Sequence, residues 1–296
     1  MPIFNELIDK NFQGETIGDK ELKIFQNYLV KMYLEVNEVC QKHNFHLIAV
    51  GGTLLGAIRH DGFIPWDDDV DFGLVREEYD LFVKVFEKEL GDRYILTVPQ
   101  SPYDCRNRFI KIFRKNTELV YASDQENTEM FSLDIFPIDN LPNNSVIRKL
   151  KAFQCNFLMG ISGCVLMKEK NNAVVKETVG RSVKGRILWN ARMLVGRLFS
   201  WRSSQQWFYI LDKSIQYRKK SDYYGVVVGS KHYLGEYLDR NDFFPLKKHK
   251  FEDVSVYTPR HPRKYLKKLY GEDYMELPPE NKRHIHHIAA IKTWEE

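Results

Sequence analysis

Residues 50–75 of the 296-residue chain read VGGTLLGAIRHDGFIPWDDDVDFGLV. Next to apolar residues this stretch places four carboxylates within five positions, at Asp67, Asp68, Asp69 and Asp71. Burying several like charges side by side is costly unless an opposite charge neutralises them. A hard divalent cation does this with oxygen ligands, and Mg²⁺ takes one or two carboxylates while it keeps waters and substrate phosphates. The stretch therefore predicts a site for Mg²⁺ or Mn²⁺.

The spacing of the aspartates predicts which of them act together. The run Asp69-Val70-Asp71-Phe72 alternates as a strand does, and residues i and i+2 of a strand share a face. We therefore expect Asp69 and Asp71 to point the same way. Asp67 is on the same face and is the better spare ligand. Of Asp67 and Asp68, one is expected to orient the ligands and the other to form the turn.

A glycine pair precedes the acidic run. The short apolar run 45–50 ends at Gly51 and Gly52, and Thr53 then opens a helix-like segment. A strand, a glycine turn and a helix start present backbone N–H groups that hold phosphate oxygens. A phosphate cradle followed by an aspartate pair on the next strand is typical of a nucleotidyltransferase-type palm.

The sequence resembles the LicD family in four segments. These are GGTLLGAIRH (51–60), GFIPWDDDVD (62–71), LDIFPID (133–139) and YGEDYMELPPENKR (270–283). The resemblance implies a nucleotidyltransferase-type fold, related to that of fukutin-type enzymes. It also implies transfer of phosphocholine or a similar phospho-alcohol from a CDP-linked donor to a cell-surface glycan, such as a teichoic acid or lipopolysaccharide precursor. Residues 145–220 carry no matching motif.

The resemblance also implies a third carboxylate on a neighbouring strand. Residues 131–139 predict a strand in which Asp134 lies among apolar residues, whereas Asp139 is expected to cap a turn. Asp69, Asp71 and Asp134 are therefore the expected catalytic residues and metal ligands. Asp134 is also expected to accept the proton of the acceptor hydroxyl.

Further residues are expected to bind the donor and its phosphates: Gly51, Gly52, Thr53, Arg59, His60, Trp66, Lys111 and Arg283. The planar guanidinium of Arg59 suits bidentate phosphate contact. Lys111 lies on a predicted strand and is interpreted either as a phosphate ligand or as an edge lysine that reaches solvent. Trp66 is expected either to cover the cytosine or a quaternary ammonium, or to pack in the core. The histidines of the tail are interpreted as metal ligands, as aids to phosphate binding or as surface residues.

The predicted fold class is α+β, with a mixed sheet flanked by helices. A polar turn at Leu141-Pro142 divides the chain into a nucleotidyltransferase-like catalytic core, 1–141, and a mainly helical region, 142–296. That second region is expected to bind donor and acceptor and to complete the site.

Basic residues are concentrated in one part of the chain. Residues 176–220 contain eleven basic and two acidic side chains, whereas the whole chain has a net charge of +4. Such a segment indicates an anionic partner. Tryptophans between the arginines, at Trp189, Trp201 and Trp207, resemble those of interfacial helices. Residues 181–220 are interpreted either as a surface that contacts a membrane carrying a lipid-linked glycan, or as core helices with solvated arginines.

Other features narrow the class of protein. No apolar run approaches the roughly 18 residues that span a bilayer, and the N-terminus lacks a signal-like pattern, so a cytoplasmic protein is expected, peripheral on the inner face of the membrane. The four cysteines form no CxxC pair and are expected to be reduced thiols. No nucleic-acid partner is expected, because no recognised motif accompanies the basic charge.

Two rival functions belong to other classes. A nucleotidyltransferase that places a nucleoside monophosphate on a sugar, alcohol or protein would need the same carboxylates. A non-catalytic binding module would not, and the intact acidic set argues against it.

Overall fold

The computed structural model describes residues 16–99, 107–121, 128–279, 283 and 288–293. The helices of these ranges are α1 Asp19–Lys42, α2 Gly51–His60, α3 Arg76–Leu90, α4 Ser145–Lys170, α5 Ala173–Gly180, α6 Val183–Leu198, α7 Ser204–Ile215, α8 Arg240–Phe243 and α9 Pro262–Tyr270. The strands are β1 Ile48–Ala49, β2 Asp71–Val75, β3 Tyr94–Thr97, β4 Ile110–Arg114, β5 Thr117–Tyr121, β6 Thr128–Glu129, β7 Ser132–Leu141, β8 Tyr223–Gly225, β9 Tyr237–Asp239, β10 Lys247–Phe251, β11 Val254–Thr258 and β12 Ile288–Thr293.

The main sheet is mixed and confirms the predicted α+β class. Its strand order is β10-β11-β1-β2-β7-β4-β3, and β8 and β9 extend it from the far end of β7. The pairs β1–β11 and β2–β7 are parallel, and the other neighbours are antiparallel. A second sheet has the order β12-β5-β6. The order of the main sheet brings β2, β7 and β4 side by side at its centre.

Hydrophobic periodicity explains how the core forms. Along α1 the apolar side chains recur every three or four residues, and that face is buried against the sheet and α3. Along β7, Leu133 and Ile135 are fully buried while Ser132 and Asp134 on the other face are only half-buried. The alternation along β7 confirms the strand expected over residues 131–139, to within about two residues.

The strand predicted to carry both Asp69 and Asp71 was wrong in extent. Strand β2 begins at Asp71, so Asp69 lies in the preceding loop. Strand β11 pairs with β10 and with β1. The pairing of β1 and β11 joins residues more than 200 positions apart, a range at which local periodicity carries no signal.

The helices α4 to α7 form a separate layer. Helices α4 and α7 pack with the end of β7 and with residues 227–233 around a second buried cluster, whereas α6 packs on α4 and α5 packs on α6. Strands β8 to β11, which also follow the polar turn at Leu141-Pro142, belong to the main sheet. The division of the chain at that turn stays a prediction.

A buried ionic network connects the two layers. Arg76, at the start of α3, donates to both carboxylate oxygens of Asp139 at 2.8 and 2.7 Å, and to Asp212 of α7 at 2.9 Å. Asp139 is therefore a buried strand residue, and its predicted role as a turn cap was wrong. The apolar residues beside it gave no indication of a partner that lies 63 positions away.

The thiols are as expected where the structure describes them. Cys40, Cys155 and Cys164 are free and buried. Cys105 lies outside the described residues.

Candidate active site

Three charged side chains lie in register on adjacent central strands. Asp71 of β2 is paired with Asp134 of the parallel strand β7, and Asp134 is paired with Lys111 of β4. Residues in register on neighbouring strands project from the same face of a sheet. Lys111 Nζ lies 3.3 Å from Asp134 Oδ1. Because β4 lies between β3 and β7, the interpretation of Lys111 as an edge lysine was wrong.

The other aspartates approach this pair from the loop before β2. Asp69 is exposed, Asp67 is half-buried and Asp68 is buried. The backbone carbonyl of Asp67 accepts a hydrogen bond of 2.8 Å from the Gln26 side chain, which fastens the loop to α1. Asp69 thus reaches the site from a loop and not from the strand on which its spacing placed it.

Electrostatics show how closely these carboxylates interact. Burial, followed by repulsion from Asp69 and Asp134, raises the pKa of Asp71 well above its usual value. Burial also raises the pKa of Asp134 to about 6, although Lys111 opposes the rise. Burial lowers the pKa of Lys111, but the attraction of Asp134 outweighs it and the net shift is upward. One lysine therefore faces several carboxylates, and the pocket favours a further cation.

The glycine pair allows the carboxylates to approach the first turn of α2. Gly51 has a φ of +52°, and a β-carbon there would lie 2.9 Å from Asp71 Oδ2. A β-carbon at Gly52 would lie 3.0 Å from Asp67 Oδ2. The positive end of the helix dipole thus faces the acidic cluster and favours its ionised form.

Thr53 positions Asp71 from the same turn. Its hydroxyl oxygen accepts the Asp71 N–H at 2.7 Å, and the threonine is only 5% exposed. On the other side, the Asp71 carbonyl accepts the N–H of Val50 at 3.1 Å. The backbone of Asp71 is therefore held at both of its polar groups. The expected contact of Thr53 with a phosphate stays a prediction.

A second buried chain of hydrogen bonds supports the glycine turn, and the sequence did not predict it. The Tyr265 hydroxyl donates to Glu236 Oε2 at 2.8 Å and accepts the N–H of Gly51 at 3.4 Å. Glu236 is 4% exposed, and burial raises its pKa. A tyrosine on the apolar face of α9 is a weak signal for such a role, and Glu236 offers none.

Arg59 and His60 join α2 to the segment after α9. Arg59 donates to the backbone carbonyls of Tyr274 and Glu276 at 2.9 and 3.2 Å, and to His60 Nε2 at 2.9 Å. Burial, followed by the charge of Arg59, lowers the pKa of His60. These contacts place Arg59 and His60 in a structural connection. Their phosphate-binding role stays a prediction.

Aromatic side chains surround the aspartates. The Arg283 guanidinium lies 4.6 Å from the centre of the Trp66 ring, which is half-buried against the main core. Burial, followed by repulsion from Asp71 and Asp67, raises the pKa of Tyr270. Tyr270 therefore lies close to the acidic cluster. The histidines expected near Arg283, at 284, 286 and 287, lie outside the described residues.

The carboxylates of the site fit a metal cation that takes most of its ligands from water and from substrate phosphates. Among the described residues, no three carboxylate, imidazole or thiolate side chains form a complete metal-binding group. Asp71 and Asp134 nevertheless lie side by side on one face of the sheet, and the buried Oδ1 of Asp134 has the Lys111 ammonium at 3.3 Å as an ion-pair partner but accepts no hydrogen bond of good geometry within the described chain. Mg²⁺ is commonly held by one or two carboxylates together with water and substrate phosphates. The site therefore fits an ion that binds with a phosphorylated substrate.

Comparison with known proteins gives a consistent picture. Residues 44–156 match the family model described as LicD/FKTN/FKRP, nucleotidyltransferase domain. The chain is 30% identical over 261 residues to the lipopolysaccharide cholinephosphotransferase LicD of Haemophilus influenzae. The aligned region covers 84% of this chain and 89% of that protein. It is also 32% identical over 128 residues to an uncharacterized protein of Rickettsia prowazekii, across 40% of this chain and 47% of that protein. The family match contains the strands that bring Asp71, Lys111 and Asp134 together.

Proposed function

Because the chain belongs to the LicD family of transferases of phosphorus-containing groups, we propose that it moves phosphocholine from CDP-choline to a hydroxyl of a cell-surface glycan. The in-register arrangement of Asp71, Asp134 and Lys111 carries the proposal, because it gathers the charges that a diphosphate and a nucleophilic hydroxyl require. The choice of choline is supported by the name of the Haemophilus relative.

The reaction is a substitution at the phosphorus that bears choline. The oxygen of the glycan hydroxyl forms the new P–O bond, the bond to CMP breaks, and CMP leaves as the second product. Asp134 accepts the hydroxyl proton, and a carboxylate with a pKa near 6 is largely ionised at neutral pH. Positioning and charge neutralisation supply most of the catalysis in this type of chemistry.

The other side chains divide the remaining tasks. We propose that Asp71 and Asp134 would hold Mg²⁺ or Mn²⁺, with Asp69 and then Asp67 as the further ligands from the loop before β2. When bound, such a cation would supply positive charge for the diphosphate and for the leaving CMP. Lys111 keeps Asp134 in place and offers a positive charge to the transferred phosphate. Thr53 and the N–H of Val50 hold the backbone of Asp71 in position.

The acceptor that we propose is a lipopolysaccharide-type glycan precursor, with teichoic acid as the alternative, modified on the cytoplasmic side of the membrane. The lipopolysaccharide acceptor is supported by the name of the relative alone. The donor choice and the acceptor choice are separate, so each can fail without the other.

A donor screen tests the proposal directly. Purified protein is incubated with a glycan acceptor and Mg²⁺, and CMP release is measured with CDP-choline, CDP-ethanolamine and CDP-ribitol in parallel. We expect CMP from CDP-choline, and none after addition of EDTA. Release of pyrophosphate from CTP or ATP, with a nucleotide attached to the acceptor, would instead identify a nucleotidyltransferase. Absence of turnover with every donor would favour the non-catalytic binding module.

A further inference from the structure

Large apolar side chains are exposed on one part of the described molecule. Ten of the seventeen exposed large hydrophobic residues fall between positions 146 and 201. The main members on α4 are Leu150, Phe153 and Phe157, and those on α6 are Ile187, Leu194 and Leu198, each between 54% and 75% exposed. Soluble proteins seldom concentrate apolar surface in this way unless something binds it.

These side chains lie on two helices, α4 and α6, that pack against each other. Positions 150, 153 and 157 follow helical spacing on one side of α4, whose opposite side packs against α6 and α7. The Phe153 and Phe157 rings are 6.5 Å apart, and Phe157 is 6.2 Å from Phe199 at the end of α6. Trp201, two residues further on, is 65% exposed. We call this surface, which comprises the six residues named above and Trp201, the α4–α6 face.

Positive charge accompanies the α4–α6 face. Residues 145–220 contain sixteen basic and three acidic side chains. Of the three, Asp212 is buried against Arg76, and Glu169 accepts hydrogen bonds from Ser204. Arg202 lies 4.9 Å from the Trp201 ring centre, and Arg197 lines an open cavity of about 520 Å³ together with Lys168 and Lys176. Exposed apolar residues among basic ones are characteristic of helices that lie in a lipid–water interface.

The arrangement favours contact with a bilayer over the alternatives. Nucleic acid would satisfy the positive charge but would leave the exposed phenylalanines and leucines without a role. Among the described residues, α4 is long and apolar enough to cross a membrane, but half of its most apolar window is buried. To cross, α4 would have to leave its packing against α6 and α7.

We propose that the α4–α6 face docks the enzyme on an anionic lipid surface, with the apolar side chains at the boundary between headgroups and acyl chains. The face differs from the sequence-based hypothesis, which placed a membrane contact at residues 181–220. It includes the first half of α4, and it excludes Trp189 and Trp207, which are 5% and 6% exposed. This inference does not depend on the donor or on the reaction.

Vesicle co-sedimentation of the full chain tests the proposal. Vesicles of phosphatidylcholine with about 30 mol% phosphatidylglycerol are compared with vesicles of pure phosphatidylcholine, each at low and at high salt. The anionic lipid attracts basic side chains near the membrane surface. We expect strong binding to the anionic vesicles that salt weakens. The affinity of the variant L150S/F153S for these vesicles should be at least about tenfold lower, because each lost side chain removes apolar area from the interface.

Matched controls separate the face from general effects. The variant I24S/L81S removes two exposed apolar residues from α1 and α3 and should bind as the wild type does. Replacement of Arg186, Arg197 and Arg202 by glutamine should weaken binding to anionic vesicles only, whereas the same change at Lys20, Lys84 and Lys88 should have little effect. Thermal melts verify that each variant is folded.

Three results would overturn the proposal. One is a wild type that binds neither kind of vesicle. Another is equal binding by L150S/F153S and I24S/L81S. The third is that light scattering shows self-association of the wild type, that L150S/F153S abolishes this self-association, and that no vesicle binding is found. The α4–α6 face would then be an interface between two copies of the chain. CMP release from CDP-choline with a soluble acceptor should be unchanged in L150S/F153S, so that failure of docking and failure of the reaction are distinguishable.

Discussion

At the scale of single residues, the ionised form of Asp134 lowers the free energy of unfolding. Its pKa is about 6 in the folded protein, against 3.8 for an unperturbed aspartate. Between these two pH values the folded state binds more protons than the unfolded state. The free energy of unfolding therefore falls as the pH rises from about 4 to about 6, and it stays lowered above pH 6.

Asp134→Asn is therefore expected to stabilise the protein at pH 7.5 while it abolishes turnover. The gain in unfolding free energy should be at most about 3 kcal/mol, the equivalent of the roughly two-unit shift, and should shrink toward zero near pH 4. Urea denaturation at both pH values, with EDTA present to remove divalent cations, measures it. A gain of equal size at pH 4 and pH 7.5 would show that ionisation of Asp134 is not its cause.

An added methyl group at Gly51 should disturb the geometry of the site directly. In Gly51→Ala, the new β-carbon meets Asp71 Oδ2 at 2.9 Å and the backbone keeps a φ of +52°. We expect a loss of about 1–3 kcal/mol in unfolding free energy from the strained backbone. CMP release should fall at least about tenfold, because a displaced carboxylate no longer fits the reacting groups.

The control for this prediction is Gly160→Ala on α4. A β-carbon at Gly160 meets no atom within 4 Å. Alanine in a helix interior should raise the unfolding free energy by up to about 1 kcal/mol and leave turnover unchanged. If both glycine variants kept normal turnover, the close approach of Asp71 to Gly51 would not matter for activity.

At the scale of elements, the Arg76 network determines how the helical layer is attached. Arg76 begins α3, Asp139 lies on β7 and Asp212 lies on α7, so one guanidinium connects three elements. All three side chains are at most 10% exposed. Removal of one partner leaves the others buried with uncompensated charge.

Asp139→Asn should therefore lower the unfolding free energy by about 3–5 kcal/mol. Lys264→Gln is the comparison, because it removes an ion pair with Asp242 whose lysine is 61% exposed, and such pairs contribute about 0–1 kcal/mol. Denaturant melts of both variants give the two values. An Asp139→Asn effect no larger than that of Lys264→Gln would mean that the network does not fasten the layers.

The loop that carries the aspartates is positioned by another element. Glu252, in the turn between β10 and β11, accepts the Phe63 N–H at 3.1 Å and pairs with Lys23 at 2.8 Å. A β-carbon at Gly62 would lie 2.4 Å from the Glu252 carboxylate. The loop between α2 and β2 is thus held against the β10–β11 hairpin.

Replacement of Glu252 by glutamine tests this attachment. Glutamine keeps the shape and one acceptor but loses the charge that faces Lys23, so the effect on unfolding should be small, within about 1 kcal/mol. Glu252→Ala also removes the acceptor of the Phe63 N–H and should lower turnover more than Glu252→Gln does. Equal turnover in the two variants would show that the hydrogen bond to the loop has no influence on the site.

At the scale of the whole molecule, the sequence predicted the parts of the site better than their assembly. The spacing of the acidic run and the isolated Asp134 in an apolar strand were local signals, and they led to residues that the sheet brings together. Lys111 was recognised, but its place beside Asp134 follows from the order of β2, β7 and β4, which no local pattern contains.

Long-range partners account for what the sequence did not predict. Tyr265 contacts Gly51 from 214 positions away, and Arg76 contacts Asp212 from 136 positions away. The exposed face of α4 was also missed, because helical periodicity identifies an apolar stripe without showing whether it is covered. Each of these features depends on which elements become neighbours once the chain is folded.

The proposed reaction requires carboxylates from β2 and β7 to hold one divalent cation beside the donor diphosphate. Electron paramagnetic resonance of Mn²⁺ added to the purified protein in the presence of CDP measures this binding. We predict one Mn²⁺ per chain, with an affinity at least about tenfold lower in Asp71→Asn and in Asp134→Asn, since each removes a ligand of the same ion. Asp92→Asn, which changes an exposed carboxylate on the turn after α3, should bind as the wild type does. Normal Mn²⁺ affinity in folded Asp134→Asn would show that the two strands do not share one cation.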